Sequence, residues 1–314
     1  MKAAVLHRQG EPPHCDEFDE PVGGNGHLVA EVAAAGVNHL DVQKASGRFY
    51  TGPPPVPSVV GSDGVGRLAD GRRVFFDSTE APHGAMAERT LVNEEHLLDV
   101  PEGVDDEVAA ALGNSGLAAW LALEWKAGLE PGETVLVLGA TGSVGNVAVQ
   151  AARALGADRV VAAARDGERL ERMQERGADA VVALDSGVDL AAELKEATHG
   201  GADVIVDPLW GPPALAAMKS AALGARHVQI GHMAAPTLEL PAPAVRSVVL
   251  ELLGFVVFRV PLPVRREAYR RLTELAARHE LEIDLERVPL TEVEQAWERQ
   301  LEGPDAKLVI VPDA

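Results

Sequence analysis

Cysteine is almost missing from the chain: Cys15 stands alone among 314 residues. A single thiol excludes an internal disulfide framework and any zinc site built from cysteines, and it accords with a reducing compartment. Basic residues are the second shortage, 28 Lys and Arg against 48 Asp and Glu, for a formal charge of −20. Sequence-independent binding to nucleic acid or to an anionic membrane needs a basic surface, so neither partner is expected. Long apolar runs are lacking too. The opening MKAAVLHRQG has no apolar stretch of the kind a secretory leader carries, and no run approaches a membrane span. The expectation is a cytoplasmic protein.

What is present is an ordinary globular balance, 46% apolar and 24% charged, at a length where one core usually gives way to two domains. Two textures divide the chain. Up to about residue 112 short apolar runs (KAAVL, HLVAEVA, RRVFF, HLLDV) alternate with Gly- and Pro-rich turn signals, which predicts a small, irregular β-rich domain. From about Thr134 strand, turn and helix recur: TVLVLG, then SVGNVAVQAARALGA, RVVAAA, DGERLERMQERG, DAVVAL, DLAAELKEATHGG, ADVIVDP, PPALAAMKSAALG and RHVQIG. That alternation predicts an α/β fold, a doubly wound parallel sheet with helices on both faces. VLELLGFVVF is expected as a further strand. Two helices are expected from about residue 260, the second opening with a capping box, Thr291-x-x-Glu294, before a last strand KLVIV.

The strongest chemical signal is LGATGSVGNVAV. Gly142 and Gly145, with Ala140 in place of the first glycine of G-x-G-x-x-G, sit where a buried strand turns into a helix. Small residues there let a pyrophosphate reach backbone N–H groups at a helix N-terminus. A strand before, a helix after and a following βαβ unit supply the context; the bland alternative is a tight turn without ligand. About 20 residues on, NAD sites commonly place a carboxylate on the ribose 2′-OH. Here the second strand ends VVAAARD: Ala164 takes that place, Arg165 follows, Arg169 comes one helical turn later, and Asp166 is expected to cap the next helix. Guanidinium suits a 2′-phosphate, so NADPH is the expected cofactor.

A second cluster, AAGVNHLDVQ, puts Asn38, His39 and Asp41 within four positions. Metal binding, acid/base chemistry and a merely hydrogen-bonded loop are all open for it on these residues alone.

Taken together, AAGVNHLDV, PSVVGSDGVG, GAMAERTLV to VPEGV, AALGNSGLAAWLAL, PGETVLVLGATGSVG, GADVIVDPLWG, RHVQIGHM and DAKLVIV resemble the medium-chain dehydrogenase/reductase superfamily, in its zinc-free quinone oxidoreductase (zeta-crystallin-like) branch. The resemblance covers essentially the whole chain. It implies a GroES-like catalytic domain formed by residues 1–112 and 260–314, with a Rossmann dinucleotide-binding domain, 113–259, inserted between them. It implies that Asn38, Ser62 and Asn114 stand where zinc-dependent members carry metal ligands, and three neutral oxygens make a poor zinc site. The cofactor-binding set is Gly139, Ala140, Thr141, Gly142, Ser143, Val144, Gly145, Arg165, Arg169 and Gly231, with no metal.

Asn38 is expected to position substrate or nicotinamide. Phe49 takes the place of a tyrosine common in the branch, so either Tyr50, next to Phe49, takes over its hydrogen-bonding role as the second catalytic candidate or the pocket is apolar at that spot. His39 is left open, and Asp41 is expected to fix the local backbone. Ala118, Leu184 and Trp210 depart from the family pattern by removing polar contacts and adding bulk. The function implied is hydride transfer from NADPH to a quinone or an α,β-unsaturated carbonyl. A protein that senses or sequesters NADPH with little turnover is the second reading, and a zinc alcohol dehydrogenase a distant third. The family pairs sheets edge to edge at the position of VLELLGFVVF, which implies a homodimer.

Overall fold

The computed structural model describes residues 1–312 apart from Thr51, Asp166, Ser186 and Val188; the expected cap at Asp166 therefore lies outside the described residues. The chain forms two compact units, Met1–Asn114 with Pro261–Ala314, and Ser115–Val260. Their boundary falls inside a single helix, Asp106–Leu121, which continues as a π-helical turn, Ala122–Ala127.

The Ser115–Val260 unit is built on a six-stranded, wholly parallel sheet. Its spatial order is Ala180–Ala183, Arg159–Ala164, Thr134–Leu138, Val204–Asp207, Arg226–Gln229 and Glu251–Gly254. The inner strands are apolar on both faces because helices cover both. Leu136, Leu138, Val161 and Ile205 share one buried cluster, while Val135, Val137, Val160 and Val206 are equally buried. The order reverses between Thr134–Leu138 and Val204–Asp207, and at such a switch point the carboxyl ends of the two strands open a crevice.

VLELLGFVVF is not one strand. Only Glu251–Gly254 pairs, and a 3-10 turn, Val257–Arg259, follows. The neighbouring strand ends at Gln229, opposite Gly254, so after the bond from Phe255 N–H to the Gln229 carbonyl no ladder remains to extend.

The other unit carries a seven-stranded sheet ordered Leu285–Pro289, Lys307–Val311, His27–Gly36, Gly64–Leu68, Arg73–Phe76 and Leu98–Asp99, with Arg89–Asn93 also paired to His27–Gly36. A three-stranded sheet of His14–Glu17, Lys2–Leu6 and Ser58–Val59 accompanies it. Leu308 and Ile310 from the C-terminal strand share a core with Ala4, Leu6, Val32 and Phe76 from the first 76 residues, which locks the returning chain in place.

Two local readings are corrected here. The capping box at Thr291 does not form: Leu290–Glu292 is a 3-10 turn, and the helix Val293–Glu302 starts from Glu292 without a side-chain cap. Burial of both Leu290 and Val293 sets that turn. Residues 39–45, open to a loop reading, are the helix His39–Ala45, whose start is fixed by Asp41 accepting the Asn38 backbone N–H at 2.9 Å.

Candidate functional site

The strand Thr134–Leu138 runs into Gly139, whose φ of 61° is a conformation that favours glycine, and the Gly142 N–H closes the turn on the Gly139 carbonyl at 3.0 Å. The helix Ser143–Ala154 starts at once, with Gly142 as a cap that brings no side-chain acceptor. A Cβ at residue 145 would stand 2.2 Å from the Gly139 carbonyl oxygen, so only glycine lets the helix come this close to the strand. Such an uncapped start leaves first-turn N–H groups of Ser143, Val144 and Gly145 without intrahelical acceptors, at the positive end of the helix dipole. This cradle fits a pyrophosphate. Ala140 is buried and donates its N–H to the Ala163 carbonyl at 3.1 Å, tying the turn to the neighbouring strand.

Arg165 is exposed just beyond Arg159–Ala164. Arg169, on the helix Gly167–Glu175, donates Nη2 to the Thr141 carbonyl at 2.7 Å, so it braces the glycine turn itself. On the far side of the switch point the turn 208–211 presses on the same glycine: a Cβ at residue 139 would lie 3.1 Å from Leu209 Cδ2 and 3.2 Å from Pro208 Cγ. Gly231 closes over it, with a Cβ there 2.9 Å from the Pro208 carbonyl oxygen. Within this turn Trp210 has φ 58° and ψ −171°, a region that is essentially glycine's and costs other residues about 1–3 kcal/mol. Leu184 packs against the core of this unit and donates its N–H to the Ala164 carbonyl at 2.9 Å.

In the other unit the AAGVNHLDVQ segment meets the last strand. Pairing of Val309 with Gly36, and the Val37 N–H on the Leu308 carbonyl, set Lys307 beside residues 37 and 38. The buried Lys307 ammonium donates to Asn38 Oδ1 at 2.5 Å and to the Val37 carbonyl at 2.8 Å. Asn38 Nδ2 in turn donates to Asp63 Oδ1 at 2.6 Å and to Asp41 Oδ2 at 3.2 Å. Ser62 Oγ donates to Asp41 Oδ1 at 2.7 Å and accepts from the half-buried Lys44 at 2.9 Å.

Burial raises the Asp63 carboxyl to about 7, with the Lys307 charge pulling it down and Asp41 pushing it further up. Burial lowers Lys307, against the pull of Asp63 and Asp41. His39, half-buried, is held below the usual imidazole range by desolvation first and the Lys307 charge second. Tyr50 is 65% exposed, its ring 4.0 Å from that of Phe49.

Comparison with known proteins decides the family. Residues 143–278 match the family described as zinc-binding dehydrogenase. The quinone oxidoreductase of Thermus thermophilus, whose structure was also determined in complex with NADPH, superposes with a TM-score of 0.81 at 33% identity, covering 99% of this chain and 100% of that one. The chain belongs to the quinone oxidoreductase branch of the medium-chain dehydrogenase/reductase superfamily. Mouse (Mus musculus) quinone oxidoreductase-like protein 2 is 30% identical over 251 residues, 77% of this chain and 71% of that protein. A mycocerosic acid synthase-like polyketide synthase of Mycobacterium tuberculosis is 33% identical over 225 residues, and the matched part spans only 10% of that protein.

In this medium-chain reductase the glycine turn, Arg169 and Gly231 come together with the 208–211 turn around one strand end. In the other unit Asn38, Ser62 and Asn114 converge on one polar cluster. Asn38 and Ser62 both bond Asp41, and Asn114 contributes its backbone N–H, 3.2 Å from Asp63 Oδ2. Among the described residues no group of three or more His, Cys, Asp or Glu side chains could hold a metal ion. Asn38 is buried, and its amide N–H groups face the Gly36 carbonyl, Asp41 and Asp63. Sequence reasoning missed Lys307 and Asp63; the one signal was a lysine opening the apolar run KLVIV of a central strand.

Proposed function

We propose that this medium-chain reductase is an NADPH-dependent, zinc-independent oxidoreductase that delivers hydride to a quinone or an α,β-unsaturated carbonyl. The observation that carries the reading is Arg165 and Arg169 placed after the second strand, with buried Ala164 where an NAD site sets a carboxylate, beside an uncapped helix start. Residues 139–145 would hold the pyrophosphate and Arg165 the 2′-phosphate. Bound NADPH supplies the hydride. The relatives' own names support a quinone acceptor, which is electron-poor enough to react without a Lewis acid.

Zinc independence is supported by the donor set: the Asn38 oxygen already serves the Lys307 ammonium, whose charge opposes a divalent cation. Asn38 then acts by holding the Lys307–Asp63 cluster, while the exposed Tyr50 hydroxyl is the group assigned to steady the acceptor oxygen as charge develops on it. The partner is a small molecule, and the edge strand Glu251–Gly254 supports a homodimer.

The test is loss of reduced-nicotinamide absorbance across quinones, enones and enals, with metal analysis of the same sample. Turnover of at least one class without stoichiometric zinc is expected. Tight NADPH binding with no oxidation by any acceptor would replace this reading with that of an NADPH-sequestering protein.

A further inference from the structure

The strand Val204–Asp207 ends on a carboxylate that is 0% exposed, and both of its oxygens are committed. Oδ1 accepts the backbone N–H groups of Leu209 at 2.8 Å and Trp210 at 2.9 Å. Oδ2 lies 2.8 Å from Nε2 of His227, which sits in the adjacent strand Arg226–Gln229 and is also 0% exposed. A carboxylate only accepts, so this contact assigns the Nε2–H tautomer. Among the described residues His227 Nδ1 has no hydrogen-bond partner, which leaves Asp207 as the ring's one polar contact there. The same ring meets the Trp210 indole edge-on, centroids 6.4 Å apart at 83°.

His227 therefore supports Trp210 twice, through the carboxylate that binds its N–H and through its indole. The support matters because nothing intrinsic to a tryptophan favours φ 58° and ψ −171°. Released from it, the 208–211 turn would relax, and Pro208 and Leu209 would withdraw from Gly139.

We propose that Asp207 and His227 are positioning residues for the nicotinamide half of the dinucleotide, holding the 208–211 turn in a backbone shape that tryptophan does not adopt unaided. The inference rests on the dinucleotide reading above. Arg165 and Arg169 follow the strand on one side of Thr134–Leu138, and the 208–211 turn follows the strand on the other. A dinucleotide crossing this switch point with its 2′-phosphate at Arg165 lays its other half against that turn.

The experiment is calorimetric titration of the full chain with NADPH and, separately, with 2′,5′-ADP, which carries the 2′-phosphate but no nicotinamide half. His227→Val is expected to weaken NADPH about tenfold, the scale of one hydrogen bond to a charged group, and to leave 2′,5′-ADP unchanged. Adding Trp210→Gly to His227→Val should restore NADPH affinity, because glycine holds the turn without support. Asp207→Asn is the second variant should the valine chain not fold; its amide keeps the acceptor for Leu209 and Trp210 but presents an N–H to His227, which drives the ring to the tautomer whose buried Nδ1–H has no acceptor among the described residues, and the same pattern is expected. Equal losses for both ligands, no loss for either, or failure of Trp210→Gly to rescue would overturn the positioning role. If the unsubstituted protein binds neither compound, the dinucleotide reading itself falls and this inference with it.

Discussion

Lys307 Nζ lies 2.5 Å from Asn38 Oδ1, joining a buried ammonium near the C-terminus to an amide in the first 40 residues. On its other side the same amide donates to Asp63 at 2.6 Å, so Asn38 bridges a buried cation and a buried carboxyl. Removing one partner of such a group leaves the others desolvated and unpaired. Lys307→Met is expected to cost about 3–5 kcal/mol in urea unfolding. A loss below about 1 kcal/mol, the size of an exposed pair, would show that water screens the cluster.

The Asp63 carboxyl gives a signed pH dependence. Its folded value is raised from 3.8 to about 7, so between those values the folded state binds more protons than the unfolded one. Its contribution is fully present below about pH 4 and is lost as pH rises through about 7, by at most about 4 kcal/mol. Lys307, lowered by burial, has the opposite sign: below its ordinary range its desolvated charge weighs against folding, and stability recovers as it deprotonates. Thermal unfolding of the parent minus that of Asp63→Asn should fall from pH 4 to pH 7. A flat difference would place the carboxyl at its ordinary value.

Asn38 and Tyr50 should separate. Asn38→Ala strands two buried partners and is expected to lower stability by about 1–3 kcal/mol. Tyr50→Phe, at an exposed ring, should leave stability alone and lower kcat by about a hundredfold or less, the scale of one oxyanion donor. An unchanged kcat would reduce Tyr50 to a ring resting on Phe49.

The two arginines should differ as well. Arg165→Ala is expected to weaken NADPH at least about tenfold and leave NADH nearly unchanged, since NADH has no 2′-phosphate to lose. Arg169→Ala should weaken both cofactors, because Arg169 also braces the Thr141 carbonyl. Equal affinity of the unsubstituted protein for NADPH and NADH, measured by fluorescence titration, would return Arg165 to the solvated surface.

Glu251–Gly254 is an edge strand, with Val249 at 65% exposure, Leu252 at 42% and Phe258 at 38% nearby. A lysine on such an edge opposes pairing. Leu252→Lys is expected to sediment as one chain where the parent sediments as two; a parent that already sediments as one chain would remove the dimer.

The sequence by itself determined the parallel sheet and the glycine turn, because a strand covered on both faces must be a continuous apolar run and a helix that starts against it needs Gly145. Those demands are local, and a window of a dozen residues contains them. That Asn38, Ser62 and Asn114 offer only neutral oxygens was legible as well, since the chemistry of a donor is a property of the residue. Only the tertiary structure decided what surrounds Asn38. Lys307 and Asp63 lie 269 and 25 positions away, and the pairing of the last strand with His27–Gly36 brings the lysine there. The same holds for Trp210, whose backbone is fixed by Asp207 nearby and by His227 from the next strand, and for VLELLGFVVF, cut short where its neighbour ends at Gln229. A strand's length and a side chain's partners depend on what lies beside them in space, and no local pattern of residues carries that.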